Sequence, residues 1–220
     1  MKEEIIEVGL NITQSRELER ERKRSFIRFI CVFLAVFAFI ALVRSFVFFS
    51  VQVDGSSMEN TLIDGDRLVV DRTGFLERGQ VVVFYVNGVV PGETDPDKMF
   101  IKRIIGVPGD VIWSEDGVVY RSFVSSDGAI VEQKLDEPYA KGLTYMYLSH
   151  NLKTDIPKTV VPENCYFLMG DNRRVSKDCR YFGDEGEPKC VPAEKICGVV
   201  PEFVIENKES KILQILMKYV

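Results

Sequence analysis

The chain has 220 residues, which is enough for one domain and a membrane anchor but too few for two large domains. Hydrophobic residues make up 46% and charged residues 28%, so the chain is neither disordered throughout nor collagen-like. The net charge of −5 excludes the overall basic character of many nucleic-acid-binding proteins. The single histidine, His150, excludes a His-rich metal site and would have to carry any Ser-His-Asp mechanism alone. We therefore expect no cofactor, no metal and no nucleic-acid partner.

The first predicted element is a transmembrane helix over residues 26–49. Its uncharged centre, Phe29–Val43, has 15 residues and would span roughly 22 Å as a helix. The hydrocarbon core is roughly 30 Å thick, so the apolar residues on both sides must contribute, with Arg28 reaching toward the headgroups. The alternative is a buried helix of a soluble protein. A helix that is apolar on every side favours the membrane.

Basic residues predict the direction of this helix. Five of them lie between residues 20 and 28, whereas only Arg44 lies near the other end. The positive-inside rule then places residues 1–25 in the cytoplasm as a basic N-terminus and the rest of the chain outside. No Ala-x-Ala sequence follows the apolar run before Gly55, which favours an uncleaved anchor over a removable signal. We expect a single-pass protein of the cell membrane.

Residues 50–205 are predicted to form an extracytoplasmic, mostly β domain. Short β-branched runs separated by Gly-containing turns are typical of an antiparallel barrel or sandwich. The more polar stretch 113–164 is interpreted as an inserted lobe, and 206–220 as an amphipathic tail too short to span a bilayer. The predicted strands are Leu68 to Val70, Val81 to Val86, Ile101 to Val107, Val118 to Tyr120 and Tyr166 to Met169.

Three segments carry candidate chemistry. In chain order they are residues 53–62 around Gly55-Ser56-Ser57-Met58, residues 100–110 around Lys102-Arg103, and residues 169–183, which begin Met169-Gly170-Asp171-Asn172-Arg173. Together with the Arg78-Gly79-Gln80 step and the preceding apolar run, this order resembles the motif set of type I signal peptidases. These are membrane-anchored serine endopeptidases that remove signal peptides from exported preproteins. The resemblance covers about residues 25–203, and the single span and short middle lobe are similar to Gram-positive members.

The resemblance implies a role for each motif. Ser57 is the expected nucleophile, Lys102 the general base, and Ser176 the residue that orients the Lys102 amine. The resemblance also implies a mostly antiparallel β domain with an inserted lobe, exported preproteins and the lipid bilayer as partners, and no cofactor. Four further residues are expected to hold the strand and loop geometry behind the site: Asp171, Asn172, Asp178 and Arg180.

A lysine can act as the base only if its neutral form is populated. An ordinary lysine, with a pKa of about 10.4, is neutral about once in 2,500 at pH 7, but burial lowers the pKa by up to roughly 3–5 units. Strand alternation places Lys102 and Ile104 on the face opposite Ile101 and Arg103. We therefore expect Lys102 to face an apolar core; the alternative is a surface lysine on an edge strand.

Two positions depart from the resemblance. Many members carry a hydroxyl residue where this chain has Gly55, so the oxyanion must be bound by the backbone N–H of Ser57, helped by Ser56 or by water. Many also carry proline where this chain has Asn60. The signal peptide is expected to bind extended along strand edges. The candidate apolar walls of its pockets are Val53, Met58, Leu62 and Ile101.

Several alternatives stay open at this point. The chain could instead be a self-cleaving Ser/Lys protease of the repressor type, or a membrane-tethered β domain that binds exported peptides without cleaving them. Asp171-Asn172 could form a structural turn, and Asp178 and Arg180 an ordinary surface ion pair worth roughly 0–1 kcal/mol. His150 is expected in an exposed loop. Three disulfide pairings are open among the four cysteines outside the span: Cys165, Cys179, Cys190 and Cys197.

Overall fold

The computed structural model describes residues 2–147, 152–184, 187–208 and 210. The chain divides into two compact units, Met1–Phe46 and Val47–Val220. Helix α1, Lys2–Val47, accounts for all described residues of the first unit and ends at the first residue of the second. Within it, the stretch Glu19–Arg44 is long and apolar enough to cross a bilayer. Large apolar side chains along this stretch are exposed, as expected of a helix whose surroundings are lipid.

The helix ends two residues before the predicted anchor does. Phe48 and Phe49 pair with strand residues Asp71 and Val70, so they belong to the sheet and not to the helix. The hydrophobic run in the sequence therefore continues from a helix into a strand. Hydrophobicity alone does not mark that change, because both elements here are apolar.

The second unit is built mainly from β-strands. Strands and the second helix have the following bounds: β1 Phe48–Gln52, β2 Arg67–Asp71, β3 Val81–Tyr85, β4 Met99–Gly106, β5 Val111–Glu115, β6 Val118–Val124, β7 Ile130–Lys134, β8 Met146–Tyr147, β9 Lys153–Thr154, β10 Thr159–Val160, β11 Cys165–Met169, β12 Val191–Pro192, β13 Ile196–Val200 and α2 Glu202–Glu206. All five predicted strands are confirmed as β2, β3, β4, β6 and β11, and the other eight strands were not predicted.

Seven strands form one antiparallel sheet in the order β1-β2-β13-β3-β4-β11-β12. A second antiparallel sheet has the order β10-β5-β6-β7, and β8 pairs with β9. None of the strands β5 to β10 pairs with the large sheet among the described residues. The mostly β, antiparallel fold expected from the sequence is therefore correct.

Alternation along β3 explains why the large sheet is covered on both faces. Val82 and Phe84 pack in the larger hydrophobic cluster, whereas Val81 and Val83 pack in the smaller one. Successive side chains of a strand point to opposite faces, so a strand buried on both sides is apolar at every position. This explains the unbroken valine run in the sequence.

Strand β4 has one open edge, and that edge positions the site. Residues 99–103 of β4 pair with β3, but β11 reaches only as far as Arg103 on the other side. In the described chain no strand covers that side of Met99–Lys102. The edge therefore keeps backbone groups that can pair with another extended chain.

All five cysteines are free thiols. The three disulfide pairings that the sequence leaves open are therefore absent from this structure. Burial raises the pKa of the Cys179 thiol, which disfavours its reactive thiolate form.

Candidate active site

A cleft of about 320 Å³ lies beside the open edge of β4. Residues 52–58 form one wall and residues 98–102 the other, with Val175 and Lys177 completing the lining. The first wall continues from the end of β1, and the second is the part of β4 that β11 leaves uncovered. The cleft thus lies between the first two motifs, and residues of the third motif complete its lining.

The loop that carries Ser57 needs unusual backbone conformations. Gly55 has a φ of +87° and donates its N–H to Asp64 Oδ1 at 2.8 Å. Asn60 has a φ of +84°, which asparagine enters more readily than most residues and which the proline ring forbids. The two departures from the family pattern therefore correspond to two left-handed positions in one loop.

The two predicted catalytic side chains meet in this cleft. Lys102 Nζ lies 2.8 Å from Ser57 Oγ and 2.9 Å from the carbonyl oxygen of Ile101. The lysine is only 3% exposed. Burial lowers its pKa to about 8, against the opposing effect of the Asp178 and Asp171 carboxylates. Roughly a tenth of the lysines are then neutral at pH 7, so the amine can accept the hydroxyl proton.

Hydrogen bonds hold the backbone of Ser57 against the third motif. Its carbonyl oxygen accepts the N–H of Asn172 at 3.1 Å. The Asn172 side-chain amide donates to Glu59 Oε2 at 3.2 Å, and Lys141 binds the same oxygen at 2.9 Å. No hydrogen bond uses the backbone N–H of Ser56 or Ser57 in the described residues. These two donors line the cleft and can face a developing oxyanion.

Asp171 joins all three motifs through its carboxylate. Arg103 donates to both of its oxygens, at 2.9 and 2.6 Å, and the hydroxyl of Thr61 donates to it as well. Asp171 is fully buried, so the bidentate guanidinium supplies the compensation that a buried carboxylate requires. Arg103, which is next to Lys102 on β4, is thereby fixed to both loops that surround Ser57.

Asp178 and Arg180 form a fully buried ion pair, and the alternative of an ordinary surface pair is wrong. Arg180 donates to the two carboxylate oxygens at 2.8 and 2.9 Å, and the N–H of Gly170 donates at 3.0 Å. Burial alone would raise the pKa of the Asp178 carboxyl. The Arg180 charge and these hydrogen bonds outweigh it and hold the pKa below its ordinary value.

Gly170 lies where no side chain fits. A Cβ built on it would come within 2.2 Å of Ser176 Oγ and 2.5 Å of the carbonyl oxygen of Ser57. Ser176 is buried beside the Asp178 carboxylate and helps to keep it ionised, but its hydroxyl falls short of regular hydrogen-bond geometry. The structure therefore places Ser176 behind Ser57 without a hydrogen bond to Lys102.

The predicted pocket walls divide into two groups. Val53, Met58 and Ile101 line the cleft, whereas Leu62 is fully buried in the smaller hydrophobic cluster and does not line it. Sequence reasoning missed Val175, which is 59% exposed at the cleft. The sequence feature that could have indicated its place at the cleft is an apolar residue directly before Ser176 in an otherwise polar segment. His150 lies outside the described residues.

Comparison with known proteins decides the family. A model of the family described as signal peptidase, peptidase S26, matches residues 26–205. The chain belongs to this signal peptidase family. The matched range contains all three motifs and the apolar part of α1. The resemblance inferred from the sequence is therefore confirmed. As a member of this family, the chain is a peptidase.

Two bacterial relatives with similar sequences agree with the family model. The chain is 32% identical over 166 residues to signal peptidase IB of Staphylococcus aureus, covering 73% of this chain and 83% of the relative. It is 32% identical over 154 residues to signal peptidase I of Bacillus caldolyticus, covering 66% and 75%. A crystal structure of signal peptidase I from Enterococcus faecalis matches 58% of this chain and 98% of its own, with 24% identity and a TM-score of 0.36.

Proposed function

We propose that this chain is a membrane-bound serine endopeptidase that removes N-terminal signal peptides from exported preproteins. The observation that carries the proposal is the 2.8 Å contact between Lys102 Nζ and Ser57 Oγ at a buried lysine. A serine hydroxyl is a weak nucleophile until a neighbouring base removes its proton. The lowered pKa of Lys102 supplies that base without a histidine.

The proposed reaction has two steps. Lys102 takes the Ser57 proton as Oγ attacks the scissile carbonyl carbon, and the backbone N–H groups of Ser56 and Ser57 stabilise the resulting oxyanion. Lys102 then gives its proton to the departing amine, and the mature protein leaves. The Lys102 amine then deprotonates a water molecule, which hydrolyses the ester on Ser57 and releases the signal peptide.

The open edge of β4 supports an extended substrate. No strand pairs with that side of Met99–Lys102 in the described chain, and strand addition to such an edge aligns a peptide by main-chain hydrogen bonds. Val53, Met58 and Ile101 are proposed as apolar walls for small side chains. Ser176 is proposed as a positioning residue for the Lys102 amine.

Cleavage of a preprotein by the purified full chain tests the activity. A substrate with an Ala-x-Ala sequence before the cut should yield the mature protein, and Ser57→Ala should lower kcat by at least about 10⁴-fold while the preprotein still binds. Ser56→Ala, which leaves the backbone N–H in place, is the matched control and should stay active. Equal cleavage by Ser57→Ala and the wild type would exclude Ser57 as the nucleophile, and binding without cleavage by the wild type would leave only the non-cleaving peptide-binding domain.

Topology is the second testable part of the proposal. The basic residues before the apolar run favour a cytoplasmic N-terminus and an extracytoplasmic β domain. Protease added to intact spheroplasts should remove an epitope placed at the C-terminus and spare one placed at the N-terminus. Loss of the N-terminal epitope from intact cells, with the C-terminal one protected, would reverse the proposed orientation.

A further inference from the structure

A second recess, of about 380 Å³, lies away from the catalytic cleft. It forms between the large sheet and the four-stranded sheet. Gly79 and the β4 residues Ile104 and Ile105 line it from the large sheet. Strands β6 and β7 and the loop after β7 line it from the other side. The recess shares no lining residue with the catalytic cleft.

Cations dominate the polar groups of this recess. Arg78, Arg121 and Lys134 line it, and Asp136 is the one acidic lining residue. The Arg78 guanidinium is bonded to the buried Asp110 carboxylate at 2.9 and 2.6 Å, so Asp110 neutralises that charge. Arg121 and Lys134 have no carboxylate within ion-pair distance among the described residues.

Arg121 is the unusual member of this group. Its buried Nε has no hydrogen-bond partner in the described part of the chain, and its only hydrogen bond is a long one, 3.4 Å, to the carbonyl oxygen of Ile105. An arginine carries five N–H donors, and leaving buried donors unused costs free energy. The guanidinium therefore has most of its hydrogen-bonding capacity unused.

The protein also holds two guanidinium groups around one ring. The Cζ atoms of Arg78 and Arg121 lie 4.9 and 5.6 Å from the centroid of Phe123. Phe123 and Arg121 are two residues apart on β6, so they share a face of the strand. Asp110 neutralises the Arg78 charge, so Arg121 is the member of this pair whose charge a bound anion would neutralise.

We propose that this recess is a binding site for a phosphate group. Arg121 would donate from its free N–H groups, and Arg78 would contribute the donor that Asp110 leaves unused. A tetrahedral oxyanion suits this arrangement because arginine binds phosphate with two parallel N–H donors. The group can come from free inorganic phosphate or from the headgroup of an anionic phospholipid, which shares the same chemistry.

Titration of the full chain in neutral detergent tests the proposal and separates the two sources. One arm adds inorganic phosphate at constant ionic strength, set with chloride, and follows heat release by calorimetry. The other arm adds phosphatidylglycerol to the micelles, with phosphatidylcholine as the lipid control. Saturable binding in the first arm assigns free phosphate as sufficient. Binding confined to phosphatidylglycerol assigns the lipid headgroup.

Variants locate the binding. Arg121→Gln should weaken it by about 10-fold or more, which is the loss of one charge-assisted hydrogen bond. Lys134→Gln removes a charge from an exposed residue that the β6–β7 register places on the face opposite Arg121, so this variant should bind like the wild type. Arg67→Gln removes the same charge at an exposed residue outside the recess and should bind like the wild type.

Three results would overturn the site. The first is the absence of saturable binding in both arms. The second is an Arg121→Gln variant that binds as tightly as the wild type. The third is equal weakening in Arg67→Gln, because that would reflect net charge and not the recess. In addition, Arg121→Gln should melt no lower than the wild type without phosphate, since the arginine makes only one long hydrogen bond.

Discussion

Lys102→Arg should leave almost no proteolytic activity at any pH from 6 to 10, although the positive charge is kept. A guanidinium does not lose its proton in this range, so the Ser57 hydroxyl would have no base. Removing a general base lowers the rate by about 10²–10⁴-fold. The measurement is kcat/KM of the wild type and the variant on one preprotein at each pH.

The wild-type pH profile identifies the base. Lys102 has its pKa lowered to about 8 by burial, and the neutral amine is the active form. The wild-type kcat/KM should therefore rise with pH and level off above about pH 8. His150→Ala should keep this profile, and Ser176→Ala should lower kcat and move the limb if Ser176 positions the amine. An activating limb near pH 6.5 that is lost in His150→Ala, with Lys102→Arg still active, would contradict the Ser/Lys mechanism.

Arg180→Leu should lower the free energy of unfolding by about 3–5 kcal/mol. The substitution leaves the Asp178 carboxylate buried without its counter-ion, because both side chains are 0% exposed. A typical domain is stable by only about 5–15 kcal/mol, so much of the stability would be lost. Urea unfolding of the full chain can be followed by the fluorescence of Trp113, the single tryptophan.

Two further variants show whether the charge is responsible. Arg67→Leu, at an exposed arginine, should cost no more than about 0.5 kcal/mol. The double variant Asp178→Asn with Arg180→Leu should recover part of the loss, because no uncompensated charge remains. If Arg180→Leu and Arg67→Leu have equal effects, the pair contributes as little as a surface pair. Since the Asp178 pKa is lowered, its contribution is present above the ordinary value of 3.8 and is lost as the pH falls below it.

The sequence was informative where local pattern determines structure. Alternation along residues 100–104 predicted that Lys102 would face inward, and its cross-strand partner Val82 does pack in the larger cluster. The five predicted strands were short β-branched runs between turn residues. The Ser57 and Lys102 motifs lie 45 residues apart, and only the resemblance brought them together before the structure did.

The local sequence pattern could not predict which distant residues and strands pair with one another. Arg103 and Asp171 are 68 residues apart, and β13 lies between β2 and β3, which no periodicity indicates. Leu62 was placed in a substrate pocket because an apolar residue near the nucleophile can face a cleft or the core. The structure places it in the core. The sequence left a surface position open for Asp178 and Arg180, because charged residues are rarely buried without partners. In the structure both are buried, and each is the other's partner.

The burial of Lys102 has a consequence for how this peptidase can evolve. The Lys102 pKa is about 8 in the folded chain and 10.5 when solvated, so the unfolded state binds more protons between these values. Stability therefore rises with pH across that window, and below pH 8 the folded chain carries a penalty of about 3 kcal/mol. An apolar residue at position 102 would remove the penalty together with the proposed general base. Selection for heat resistance alone would thus favour inactive descendants, and only the need for proteolysis retains the lysine.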